Sequence, residues 1–102
     1  MLAFALFAAA TVSQSRQAVV MYGIEGGISC SNAWKPQFRQ GTESYIRGLW
    51  SGLNLATSSN VGHSRRESAS LEDVRVRCAK DPNELVEKIA LKVYYTARKL
   101  GQ

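Results

Sequence analysis

The chain has 102 residues, with 13 Lys plus Arg against 8 Asp plus Glu and a formal charge of +5. That length allows one domain at most. The basic excess is scattered and no recognisable binding motif goes with it, so nucleic acid is disfavoured and a solvated basic surface is expected.

Leu2 to Val12 (LAFALFAAATV) is an uninterrupted run of apolar and small residues, followed by polar Ser13, Gln14 and Ser15. It has the form of the central region of a secretory signal peptide, with small-residue cleavage positions after Ala10 or Ser15. No basic stretch precedes it, and an N-terminal core helix is the competing reading. The run is too short to span a bilayer, so residues 1–15 are expected to be an export signal without an anchor. Localisation is expected to be periplasmic or secreted, without membrane contact.

Residues 16–28 (RQAVVMYGIEGGI) carry three glycines and are expected to enter the domain as an irregular arm, with Val19 to Tyr22 anchored on the core. Their spacing does not match a dinucleotide-binding fingerprint. Residues 29–102 are expected to form the domain. Ser29 to Arg39 reads as a short helix with Cys30, Ala33, Trp34 and Phe38 at roughly helical spacing, starting or bending at Pro36. Gln40, Gly41 and Thr42 are then expected to break the chain, with Thr42 capping the next helix.

Glu43 to Thr57 is the densest apolar stretch after the N-terminus. Tyr45, Ile46, Leu49, Trp50, Leu53 and Ala56 draw one wide stripe on an α-helix and fit no strand alternation. Gly48 and Gly52 share a face of it, and the spacing predicts a helix crossed closely by another. Ser58 to Ser70 is polar and serine-rich and reads as a loop. Ser70 to Asp73 has capping-box spacing, predicting a helix that turns Leu71, Val74 and Cys78 inward. Asp81-Pro82-Asn83-Glu84 reads as the start of the last helix, with Asp81 as cap. Leu85, Val86, Ile89, Val93, Ala97 and Leu100 form its stripe, and Gly101 stops it. The fold class expected is all-α, a small bundle of about four helices.

About 85 residues would remain after cleavage, a size that needs a staple. In an exported protein Cys30 and Cys78 would pair, contributing roughly 4 kcal/mol; two buried free thiols are the alternative if the chain is not exported.

The chemistry of enzymes is not recognisable. There is no nucleophile elbow around Ser51, and His63 stands alone in a polar loop. The carboxylates are spread over caps and outer faces, and no metal cluster or phosphate-cradling loop is visible. No cofactor is expected. The residues singled out for helix packing or an interface are Trp34, Gly48, Trp50, Gly52 and Asn54. Those for a basic contact surface are Arg65, Arg66, Arg75 and Arg77.

The Cys-x-x-x-Trp start (Cys30, Trp34), the G-x-x-S-G-x-N helix (Gly48, Ser51, Gly52, Asn54), and Cys78 followed by Pro82 and an amphipathic helix form a pattern. It resembles the small exported bacterial proteins similar to the HdeA/HdeB acid-stress chaperones and the Rap/Tai immunity proteins. The resemblance covers Ser29 to Leu100. It implies a compact helical domain with Cys30 bonded to Cys78, and a non-enzymatic protein whose partner is another protein. The partner would be unfolded clients held at low pH, or one secreted effector that it neutralises, with a homodimer as a candidate assembly. The basic pI of about 9.6 departs from what the chaperones lead one to expect.

Overall fold

The structure, a computed structural model, describes residues 27–102. The expected export signal and most of the irregular arm lie outside the described residues. Four helices follow one another: α1 (Cys30–Ala33), α2 (Pro36–Thr57), α3 (Glu67–Lys80) and α4 (Val86–Lys99). Among the described residues there is no strand, only an isolated antiparallel bridge between Ser29 and Leu85. The all-α class is as the patterning predicts.

α1 is a single turn, too short to hold its shape alone. Its backbone donors are satisfied from outside and from its own start. Cys30 N–H donates to Glu84 O (2.8 Å) and Ser31 N–H to Pro82 O (2.9 Å), while Asn32 and Ala33 donate to Ser29 O. Val86 N–H donates to Ile28 O (2.9 Å), which completes a sewn corner between the chain entering α1 and the start of α4. The Cys30–Cys78 disulfide, with Cα atoms 5.0 Å apart, ties the same corner to the last turn of α3.

The expected break at Gln40 to Thr42 does not exist. Pro36 occupies the first turn of a 22-residue helix that runs straight through Gly41 and Thr42. Thr42 is fully buried, and its hydroxyl donates to Ala33 O at 2.7 Å. It therefore satisfies an end carbonyl of α1 instead of capping a helix of its own. Two other starts shift for similar reasons. α3 begins at Glu67, so Ser70 lies inside it and the serine-rich loop is shorter than expected. Asp81 closes α3, its N–H on Cys78 O, and the Asp81–Glu84 turn serves α1; α4 starts later, with Leu85 at the cap position.

The core is formed by Cys30, Ala33, Ile46, Leu71, Val74, Cys78, Val86, Ile89, Ala90 and Val93, all buried. α4 ends as its glycine predicts: Gly101 has φ +75°, Gln102 N–H reaches Ala97 O (2.8 Å), and Gly101 N–H reaches Arg98 O (3.2 Å). That pair of bonds with a left-handed residue is a Schellman motif, satisfying carbonyls the helix end leaves open. Gly62 N–H then binds Gln102 O at 2.9 Å, pinning the loop after α2 to the end of α4.

Candidate functional site

α2 and α3 flank a cleft divided by one ion pair. Arg47 Nε lies 3.0 Å from Glu67 Oε2, joining the middle of α2 to the first residue of α3. On one side is a cavity of about 330 Å³ lined by Trp34, Arg39, Glu43, Leu71, Glu72 and Arg75. On the other is one of about 220 Å³ lined by Trp50, Ser51, Asn54, Val61, Arg65 and Ser70. Arg47 and Glu67 line both.

Every arginine of the cleft meets a carboxylate. Arg39 pairs with Glu43 one helical turn on (3.5 Å), and Arg65 from the loop reaches Asp73 of α3 (2.5 Å). Arg75 binds Glu72 bidentately, its Nε donating to Oε1 at 2.8 Å and its Nη2 to Oε2. The hydrogen bond from Arg75 holds the Glu72 carboxyl below its usual range, and Glu72 in turn holds the guanidinium charged. The cleft is thus lined with charge and locally neutral.

Of the residues singled out from sequence, Trp34, Trp50, Asn54, Arg65 and Arg75 line this cleft. Trp50 is half-buried and its indole N–H donates to Ala90 O at 3.0 Å, anchoring α2 to α4. Asn54 is a clamp: its Nδ2 donates to Val61 O (3.0 Å), and its Oδ1 accepts from Val61 N–H (3.1 Å) and from the Tyr94 hydroxyl (2.8 Å). Trp34 follows α1, and its indole nitrogen is buried without an acceptor among the described residues.

The remaining residues lie elsewhere. Gly48 and Gly52 face away from the fold, and no helix of the described chain crosses them. Arg66 sits exposed at the cap position of α3, and Arg77 is exposed near its end. The four arginines expected to form one basic surface are therefore split, two neutralised in the cleft and two outside it. His63 is exposed in a turn, with Nδ1 3.1 Å from Asn60 O. Arg39, Glu43, Arg47, Glu67 and Glu72 were not singled out from sequence. The four-apart and three-apart pairs were readable as helix-surface pairs. The Arg47–Glu67 bridge has no local signal, because only the fold brings those residues together.

Outside the cleft, Glu87 stands in the first turn of α4 with one carboxylate oxygen buried and without a hydrogen-bond partner among the described residues. Gly27 passes over it with φ +104°, a backbone conformation that favours glycine, and a Cβ there would sit 2.9 Å from Glu87 Oε2 and push that carboxylate aside. Burial raises the Glu87 carboxyl, Lys88 opposes this and Glu84 adds to it. Tyr45 is raised too, by burial first and by Glu87 second. A carboxyl raised by folding stabilises the protein below its unfolded range and loses that contribution as pH climbs through the folded value. Glu87→Gln should therefore raise the melting temperature at pH 7 and leave it unchanged below about pH 4, where both side chains are neutral. Melting curves from pH 3 to 8 check this, and parallel curves for the two proteins would refute it.

No family model matches the chain, and no curated protein or solved structure does either.

Proposed function

We propose that the protein is a non-enzymatic, exported helical protein that opens along the α2/α3 cleft at low pH and holds unfolded proteins there, in the manner of an acid-stress chaperone. The observation that carries this reading is the charge pairing of the cleft. Arg39, Arg47, Arg65 and Arg75 are each matched by a carboxylate at neutral pH. Acid neutralises the carboxylates and leaves the arginines charged along one cleft, so attraction turns to repulsion. The carboxyl of Glu72, lowered by Arg75, gives stability that is lost as pH falls through its folded value.

α2 is the element that would move. It is bounded by Lys35 and by Ser58 in the left-handed conformation, whereas α1, α3 and α4 are joined by the disulfide and the sewn corner. Its inward face carries Ile46, Leu49 and Trp50, apolar surface of the kind that holds unfolded chains. The disulfide fits an oxidising compartment. No helix of the described residues is long and apolar enough to cross a membrane. A second reading, capture of one specific effector at neutral pH, is favoured by Trp34, which lines the larger cavity and whose buried indole nitrogen has no acceptor among the described residues.

The test is light scattering of an unrelated acid-unfolding protein from pH 7 to about pH 2, with the tryptophan fluorescence of this protein followed alongside. Suppressed aggregation at low pH only, with a red shift as Trp34 and Trp50 become wet, is the expected result. Absence of protection at every pH would remove the chaperone reading and leave the specific-effector one.

A further inference from the structure

The basic excess that looks scattered along the sequence is gathered by the fold. Arg39, Arg47, Arg65 and Arg75 are all matched by carboxylates in the cleft. α4 keeps its charge: Lys88, Lys92, Arg98 and Lys99 stand there against a single acid, Glu87. Four cations against one acid leave three of the chain's five net positive charges on one helix of 14 residues. Lys88, Lys92 and Lys99 are spaced four and seven residues apart, which sets them on one stripe, with Tyr95 between the last two. The stripe lies on the side of α4 opposite the buried Val86, Ala90 and Val93, and all four of its residues are exposed. Lys92 and Lys99 have no ion pair among the described residues, and Lys88 reaches Glu84 only at 4.0 Å. Glu87 lies off the stripe, with one oxygen buried beside Gly27. Like charges four residues apart weaken a helix, so Lys88 and Lys92 act against α4 unless an anion lies across them.

The charge and its spacing define what fits. At about 1.5 Å per residue, the three lysines succeed one another at roughly 6 and 10 Å along the helix, a row and not a pocket. Lysine is a compact charge on a flexible stem and binds phosphate as a point charge, whereas planar carboxylates are matched by the arginine fork. Only lysine stands on the stripe. We propose that the outer face of α4 binds a flexible linear polymer of phosphate groups, laid along the helix from Lys88 to Lys99. The Tyr95 hydroxyl donates to a phosphate between Lys92 and Lys99. A single exposed ring, already edge-on to Tyr94 with centroids 5.2 Å apart, gives no platform on which successive bases could stack, so the polymer is not a nucleic acid. The proposal is independent of acid opening, which concerns the cleft between α2 and α3.

The experiment is fluorescence anisotropy of end-labelled long-chain polyphosphate, titrated with the full chain at neutral pH over a salt series. Three contacts, each releasing about 0.7 of a counterion, give a plot of log affinity against log salt with a slope of about −2. Lys92→Gln and Lys99→Gln are each expected to weaken binding several-fold and to make that slope shallower by about 0.7. Lys35→Gln removes the same charge at the start of α2 and should leave affinity and slope unchanged. Tyr95→Phe should weaken binding without altering the slope, since no charge is lost. Glutamine is about as good a helix former as lysine, so the variants should fold, which circular dichroism checks. The wild-type slope tests the number of contacts without any variant. Absence of binding at low salt overturns the proposal, and so does an equal loss in Lys35→Gln and Lys92→Gln, which would make net charge the only cause. Tighter binding of single-stranded DNA, heparin or anionic vesicles than of polyphosphate also overturns it.

Discussion

Replacing Cys30 and Cys78 together by serine should lower stability by about 4 kcal/mol, the chain-entropy value for a loop of this size. The bond closes a sequence separation of 48 residues in the folded domain. For a domain this small, each kcal/mol corresponds to about 4–8 °C, so a fall of roughly 15–30 °C in melting temperature is expected. Total stabilities of about 5–15 kcal/mol are usual, so the variant should be close to unfolding at body temperature. The loss should concentrate at α1, a single turn held by the bond, by the carbonyls of Pro82 and Glu84, and by its buried Cys30 and Ala33. Thermal melts with and without reductant measure it. An unchanged melting curve of the double variant under oxidising conditions would show that the bond contributes nothing.

Asn54→Ala should be the most damaging single polar substitution in the cleft, costing about 2–3 kcal/mol. It removes both bonds to the Val61 backbone and the acceptor of a tyrosine hydroxyl whose residue is 1% exposed. A buried hydroxyl left without a partner costs more than the bond itself was worth. Tyr94→Phe removes one partner cleanly and should cost about 1 kcal/mol or less. The double variant should lose less than the sum of the two, because the orphaned hydroxyl disappears with the tyrosine. Urea denaturation of the three proteins gives these differences. Strict additivity would mean that the Asn54–Tyr94 bond is not the coupling that holds the end of α2 onto α4.

The helical class, the inward residues Leu71, Val74, Cys78, Val86, Ile89 and Val93, and the Gly101 stop were legible, since each rests on spacing within one helix. Helix starts were not. Thr42, Ser70 and Asp81 all have the side chains that cap helices, yet each is engaged otherwise or passed over by a helix starting elsewhere. Thr42 shows why: the acceptor it serves is Ala33 O, nine residues back and on another helix. Capping chemistry in a sequence says that an oxygen is available, and tertiary packing decides who uses it. The same holds for the cleft. Trp50 and Asn54 were picked out as packing residues, but their partners Ala90 and Tyr94 are each 40 residues away in sequence. Gly48 and Gly52 share one face of α2, as their spacing says, but the close helix crossing expected there is not made within the described chain.

The disulfide has a topological consequence. Residues 31–77 lie inside a covalent ring that contains all of α2, the loop after it and most of α3. The loop between Ser58 and Arg66 is the longest non-helical stretch in the ring, and it ends in the exposed Arg66 beside Arg65. A protease that cuts there opens the ring without dividing the molecule. The two fragments stay tethered through Cys30 and Cys78, with the α2 half still laid against Ala90 and Tyr94, and they separate only when the sulfur bond is reduced. In a compartment rich in proteases, a chain closed in this way survives its first cut as one molecule.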